Sequence, residues 1–286
     1  MVKIITDSGS DITQNEAKEL GIKVIPIVVI FDKDEYLDGV TMSNDEFYHR
    51  LSVNHEYSKT TQVNPATYQK AFEEELEKGN EVLCITLGSK LSGCYQSAII
   101  ARNILKDDRI HVVDSMAASV GQKNLVYLAL ECLKKGMDVA SVASYLEKKR
   151  EDIVVIAAVD TLEYLQKGGR ISKAVAIIGN ILAMKPVIEL DDGQLKLAGK
   201  ARGYKNAHNL LNKTIDKYHG IDFSLPLSVG YSGDNDELLQ KYLEASKPIY
   251  ESKIDHIPVL RIGATIGTHC GAGTVVLGFF RPENRK

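Results

Sequence analysis

Glu81-Val82-Leu83-Cys84-Ile85-Thr86-Leu87 is an apolar run that passes directly into Gly88-Ser89-Lys90-Leu91-Ser92-Gly93, and an apolar-faced periodicity after it predicts a helix over 92–105. Strand, glycine-containing turn and helix in that order outline an anion site. The free N–H groups of a helix's first turn and the positive end of its dipole attract negative charge, while Gly93 admits a ligand close to the backbone and Ser92 offers a hydroxyl.

On the N-terminal side of this stretch, strands are predicted over 2–6 and 24–31 and helices over 13–20, 43–52 and 65–78, the last with Pro65 at its favoured first turn. On the C-terminal side follow a strand over 110–113 and helices over 118–134 and 139–151. Strand and helix alternating at these spacings imply right-handed crossovers and a mainly parallel sheet. From about Ile153 the pattern changes. A strand over 153–159, a short helix, Gly168-Gly169-Arg170 and a helical stretch over 172–183 precede a β-hairpin turning at Asp191-Asp192-Gly193. A helix over 203–218, a strand over 227–231, a helix over 236–246 and strands over 253–259 and 274–279 complete it. The expected fold is α/β: an N-terminal mainly parallel-sheet α/β domain over 1–152 and a C-terminal α+β domain over 153–286, closely packed with a ligand tunnel or cleft between them.

Composition excludes several classes. With 44% hydrophobic and 26% charged residues the 286-residue chain has the balance of a soluble globular protein, and a net charge of −3 with scattered Lys and Arg gives no field for gathering nucleic acid. The four cysteines, Cys84, Cys94, Cys132 and Cys270, have neither metal nor disulfide-scaffold spacing, which fits reduced thiols in a cytoplasm. The opening MVKIITDSGSD turns polar too soon for a signal peptide, and no run approaches 18 apolar residues, so no stable membrane insertion is expected.

Catalytic signatures are weak. No P-loop or dinucleotide fingerprint is present, and the seven histidines show no paired ligand spacing, so neither a cofactor nor a metal is expected. Gly230-Tyr231-Ser232-Gly233 falls one position short of a nucleophile elbow, because Asp234 stands where the second glycine is needed. Ser92 and His269 form a further nucleophile–base candidate whose test is geometric.

Five polar clusters interrupt apolar sequence: Asp7-Ser8-Gly9-Ser10-Asp11, Lys59-Thr60-Thr61-Gln62, Leu91-Ser92-Gly93, Gly168-Gly169-Arg170 and Gly267-Thr268-His269-Cys270-Gly271. In this order they resemble the DegV family of bacterial fatty-acid-binding proteins. The resemblance runs through essentially the whole chain and includes Val24-Ile25-Pro26, Asp38-Gly39, Val113-Asp114-Ser115, Leu162-Glu163-Tyr164-Leu165 and Met184-Lys185-Pro186. It implies a long-chain fatty acid in a tunnel between two domains, its carboxylate held by Ser92, the Gly93 N–H and the Thr60/Thr61 pair. It also implies a binding protein with no catalytic residue of its own, which presents the carboxylate to an ATP-dependent fatty acid kinase subunit for acyl-phosphate formation, with Arg170 and His269 serving that encounter. Val63, Thr61 and Cys94 depart from the family's usual proline, serine and threonine.

Each of these residues also has a plainer reading. Ser92 is a natural N-cap, Thr60 and Thr61 suit a turn or the cap of the helix opening near Pro65, and Asp11 suits the cap of the first helix. Gly168-Gly169 suits a helix C-cap with Arg170 as a solvated cation, and His269 reads as an imidazole in a glycine-rich loop, titrating near neutral pH. Two rival functions follow: a lipid esterase or thioesterase using Ser92 and His269, or a carrier of another amphiphilic carboxylate with no kinase partner.

Overall fold

The computed structural model describes residues 1–53, 57–172 and 183–283. Its strands are β1 (Val2–Asp7), β2 (Lys23–Ile25), β3 (Val28–Phe31), β4 (Asp34–Leu37), β5 (Ser58–Thr60), β6 (Glu81–Thr86), β7 (Ile110–Asp114), β8 (Ile153–Ala158), β9 (Met184–Asp191), β10 (Gln194–Arg202), β11 (Ser228–Tyr231), β12 (Val259–Arg261) and β13 (Val275–Phe280). Among the described residues they form three sheets.

The first sheet, in the order β2-β1-β6-β7, is parallel throughout. Its strands alternate between two helical layers, as period-2 side-chain geometry requires. Ile4, Leu83, Ile85 and Val113 pack with the helices Val120–Lys134 and Val139–Lys149. Ile5, Cys84 and Val112 pack with the helices Pro65–Glu77 and Cys94–Leu105. Asn64 caps the first of these, its Oδ1 accepting from the Ala66 N–H at 2.9 Å.

The second sheet has the order β10-β9-β8-β13-β11-β12, antiparallel except for the pair β11–β12. Val154, Ile156, Ala158, Val187, Val229, Val275, Leu277 and Phe279 face the helices Gly203–Lys217 and Glu237–Ala245. Val155, Ala157, Ile188, Leu190 and Val276 point the other way, toward the first half of the chain. The hairpin β9–β10 turns at Asp192 and Gly193, both with positive φ, as its Asp-Gly pair requires. Thus the expected α/β first half and mixed second half are both present.

Several elements differ from expectation. The strand expected over 24–31 is two strands, because Pro26 has no N–H to continue the ladder. The chain leaves the parallel sheet after Ile25, and from Val28 it pairs with β4 and β5 in a separate antiparallel sheet, β4-β3-β5. The strand expected over 253–259 is confined to Val259–Arg261. Gly267-Thr268-His269-Cys270, read as a loop, lies on the helix Ala264–Cys270. Gly267 is there for packing rather than turning, since a Cβ would sit 2.6 Å from the Phe47 ring and 2.9 Å from the Tyr48 hydroxyl. The helix expected over 172–183 falls, between those two residues, outside the described residues.

The helix Val120–Lys134 joins the two large sheets. Asn124 Nδ2 donates to Gly278 O at 2.9 Å, and the Ser228 hydroxyl donates to Asn124 Oδ1 at 2.8 Å. A Cβ on Gly278 would stand 2.7 Å from Val120 Cγ2 and 3.0 Å from the Val120 carbonyl carbon, so backbone and not only side chain would have to move. Gly278→Ala is therefore expected to destabilise the protein by about 1–3 kcal/mol, the range for overpacked sites. Urea unfolding checks this, and an unchanged midpoint would mean that helix and sheet can separate freely.

Candidate functional site

Between the inner face of the second sheet and the loops of the first half lies an apolar cavity enclosing about 830 Å³ of empty space, its mouth included. Val155, Ala157, Val159, Ile188, Leu190 and Val276 form its sheet wall, and Leu87, Ala118, Ile262 and Ile266 close the opposite side. Ser92, Thr60, Thr61, Arg170 and His269 also line it. A polar outer groove, lined by Lys90, Gly93, Gly169 and Lys196 among others, shares Leu91, Ser92, Arg170 and Leu195 with the cavity. Ser92 and Arg170 therefore stand where the apolar space opens outward.

Gly93 is the N-cap of the helix Cys94–Leu105 and provides no side-chain cap. The Ser92 hydroxyl, expected to cap this helix, instead accepts from the Cys94 N–H at 3.3 Å and donates to Cys94 Sγ at 3.2 Å. Thr60 ends β5, paired with Val29, and its hydroxyl lies 2.9 Å from His269 Nε2. The Thr61 N–H donates to Val28 O at 3.1 Å, which fixes the backbone of the pair. Neither threonine caps the helix at Pro65, a role that Asn64 takes.

Arg170 is not a freely solvated cation. Half-buried, it donates from Nε to Leu91 O at 3.1 Å and from a terminal nitrogen to Gly168 O, and burial lowers its pKa. It has no ion-pair partner among the described residues. His269 differs too from the neutral-pH titrant expected: burial, with Arg170's charge as the lesser cause, pushes it down to about 4, so the imidazole is neutral at pH 7. Its Nδ1 is buried without a hydrogen-bond partner among the described residues. Ser92 and His269 thus each bond a different neighbour rather than each other. Ser232 is likewise structural, its hydroxyl donating to Gly271 O at 2.6 Å and accepting from the Thr274 N–H at 2.8 Å. Burial pushes the Cys94 and Cys270 thiols up to about 12, so neither is a ready nucleophile.

Asp11 does not cap the first helix. Thr13 does, its hydroxyl accepting from the Glu16 N–H at 3.1 Å. Asp11 accepts instead from the Gly263 N–H at 2.9 Å and the Ser119 hydroxyl at 2.6 Å. The nearby Asp38 accepts from the Ala264 and Thr265 N–H groups, each at 3.1 Å. Neither contact was legible from spacing, since 252 and 226 positions separate Asp11 and Asp38 from the glycine and alanine they bind. The cavity's sheet wall did leave a signal: residues 153–159 are apolar at both parities, so both faces of that strand need covering.

A two-unit α/β protein with an apolar cavity and a hydroxyl-lined mouth is the class that fold and site define. The DegV family model matches residues 1–281, and the chain belongs to that family. A DegV domain-containing protein of Caldanaerobacter subterraneus subsp. tengcongensis is 37% identical over 273 residues, covering 94% of this chain and 95% of the relative. The solved structure of a DegV family protein from Thermus thermophilus, one that binds fatty acid, is 29% identical with a TM-score of 0.86 and covers 98% of this chain and 99% of that one. The Streptococcus pneumoniae Fatty Acid Kinase (Fak) B3 protein, loaded with linoleic acid, has a TM-score of 0.84 over 99% of this chain and 100% of its own, at 22% identity, a likeness of fold.

The buried titrating groups make stability depend on pH in two directions. Asp11 is raised from 3.8 to about 7, chiefly by burial and further by Asp38, so its folded form holds the proton more tightly and the stability this contributes is lost as pH rises through 7. His269, and His208 buried beside the Tyr204 and Tyr242 rings, are lowered from 6.5 to about 4 by burial. Their contribution is complete above 6.5 and is lost as pH falls toward 4. The stability advantage that protonated Asp11 gives wild type over Asp11→Asn is expected to shrink as pH rises from 5 through 7, read from urea unfolding of the two proteins. A difference between wild type and Asp11→Asn that does not change between pH 5 and 8 would contradict the assignment.

Proposed function

We propose that this protein binds one long-chain fatty acid, with the acyl tail in the apolar cavity and the carboxylate at its mouth, and presents that carboxylate to a separate ATP-using kinase. The observation that carries the reading is that aliphatic side chains and the hydroxyls of Ser92, Thr60 and Thr61 line one continuous space. In this reading residues 1–152 and 153–286 are the two units that enclose the ligand, and neither a metal nor a cofactor takes part.

The tail supplies affinity. About fifteen methylenes at roughly 0.8 kcal/mol each give on the order of 12 kcal/mol before association and ordering costs. The head group supplies register, because a carboxylate gains most from several oriented donors in a site partly closed to water. Ser92, the Gly93 N–H and the hydroxyls of Thr60 and Thr61 are those donors. His269, neutral and bonded to Thr60, holds that hydroxyl in place and serves the encounter through it. Arg170 at the mouth meets the incoming phosphoryl group or the partner, a task for which a guanidinium's planar fork is suited. In the transfer a carboxylate oxygen forms a bond to the γ-phosphorus of ATP, the bond from that phosphorus to the bridging oxygen breaks, and ADP leaves. The partner brings the nucleotide, and this chain keeps a poorly soluble acid shielded. The kinase step is carried by the family resemblance, and the groove lined by Lys90, Arg170 and Lys196 supports it.

Ser92→Ala and Thr60→Ala are each expected to weaken palmitate binding about tenfold or more, since hydrogen bonds to a charged group contribute about 1.5–3 kcal/mol. Arg170→Ala is expected to leave palmitate affinity within about threefold and to cut acyl-phosphate formation with kinase and ATP far more, because a mouth cation adds little to a bound tail. Titration calorimetry and a coupled ADP assay read the two quantities. Equal losses of both in Arg170→Ala would end the division of roles, and turnover of acyl esters by the chain alone would replace it with the hydrolase.

A further inference from the structure

We propose that Asp38 and Asp11 are positioning residues for the head-group end of the cavity, acting through the helix Ala264–Cys270 on the His269–Thr60 pair, a role that rests on the fatty-acid reading above. Three successive N–H groups at the start of that helix, those of Gly263, Ala264 and Thr265, are taken by these two carboxylates. Both carboxylates are buried, and both crowd the same point: a Cβ on Gly263 would stand 3.2 Å from Asp11 Oδ1 and 3.3 Å from Asp38 Oδ1. Satisfying the orphan donors with side chains from distant loops fixes where the helix starts.

The other end of the same helix is fixed by β5. The Ser58 and Thr268 hydroxyls lie 2.7 Å apart, and Thr60 lies 2.9 Å from His269. A seven-residue helix held at both ends acts as a strut, so the position of His269 depends on where the carboxylates hold the N-terminus. Ser8 extends the clamp, with its hydroxyl 3.0 Å from that of Thr265 and accepting from the Ile27 N–H at 3.0 Å. The polar cluster Asp7–Asp11 and the Asp38-Gly39 pair, neither of which touches the proposed carboxylate donors, acquire a task in this arrangement.

Asp38→Asn keeps the side chain's size but leaves one acceptor oxygen for two N–H donors. The test measures palmitate affinity in wild type, Asp38→Asn, Thr60→Val and the double variant, together with the 15N resonances of the His269 imidazole in ligand-free protein. Positioning predicts an affinity loss of about tenfold for Asp38→Asn in wild type but less than twofold in the Thr60→Val background, because contacts that act as one unit are not additive. It also predicts a shifted His269 Nε2 resonance. The same tenfold loss in both backgrounds, or an unmoved His269 resonance, would overturn it. Asp11→Asn, which leaves both Asp38 bonds in place, reads the same quantities with smaller expected changes if Asp38→Asn does not fold. A wild-type protein that takes up no palmitate defeats the fatty-acid reading, and the His269 resonance in Asp38→Asn then decides the clamp by itself.

Discussion

A sheet whose strands are apolar at both parities has to be covered on both faces, and the two faces of the second sheet are covered differently. The helices Gly203–Lys217 and Glu237–Ala245 cover the outer face. The inner face, with Val155, Ala157, Ile188, Leu190 and Val276, turns toward the first half of the chain and toward Leu165, Ile266 and Cys270 on short helices of its own half, with the cavity between. An uncovered apolar face costs roughly 25 cal/mol for every Å² left in water. Docking against the loops at the strand ends of the parallel sheet removes most of that exposure and leaves the cavity as the remainder. Under the proposed function an acyl chain fills it, so ligand binding and completion of the core are one process.

The same docking decides where polar groups can stand. The loops that close the cavity come from the C-terminal ends of β2, β6 and β7, with Ile27, Leu87 and Ala118 in its lining, the usual position for ligands in a parallel sheet. Asp7, the last residue of β1, is tied to the end of β6, accepting from the Leu87 N–H at 2.9 Å and also from Gln122 and Tyr68. Lys90 reaches across to the tip of the β9–β10 hairpin, donating to the Asp192 carbonyl at 2.7 Å and its carboxylate at 2.6 Å. The outer groove thus carries a charged tie at Lys90, while the cavity behind it is lined mostly by aliphatic side chains. A fatty acid has the same distribution.

Much of this was legible in the sequence because it is local. The crossovers, the β9–β10 turn at Asp192-Gly193 and the glycine-led start of the helix at Cys94 each depend on residues a few positions apart. What sequence reading lost depends on distant partners. Pro26 divides a run that reads as one strand, but only the neighbouring β4 and β5 show where its second half goes. Gly267 and Gly271 read as a loop because glycine in a helix interior is usually unfavourable, and the ring of Phe47, 220 positions away from Gly267, is what demands it. The residues that the resemblance singled out, Ser92, Thr60, Thr61, Arg170 and His269, line one cavity, and Gly93 lies in the adjoining groove. The protonation state of His269 depends on burial and on the charge of Arg170, 99 positions away, and so no motif could have reported it.

The most direct test is native mass spectrometry of the protein purified from a bacterial host, followed by organic extraction and identification of what is released. The account predicts one long-chain fatty acid per chain, reduced in occupancy when Ser92 is replaced by alanine. A protein that emerges empty and also fails to take up added palmitate would contradict it, because the cavity would then be a packing defect rather than a site.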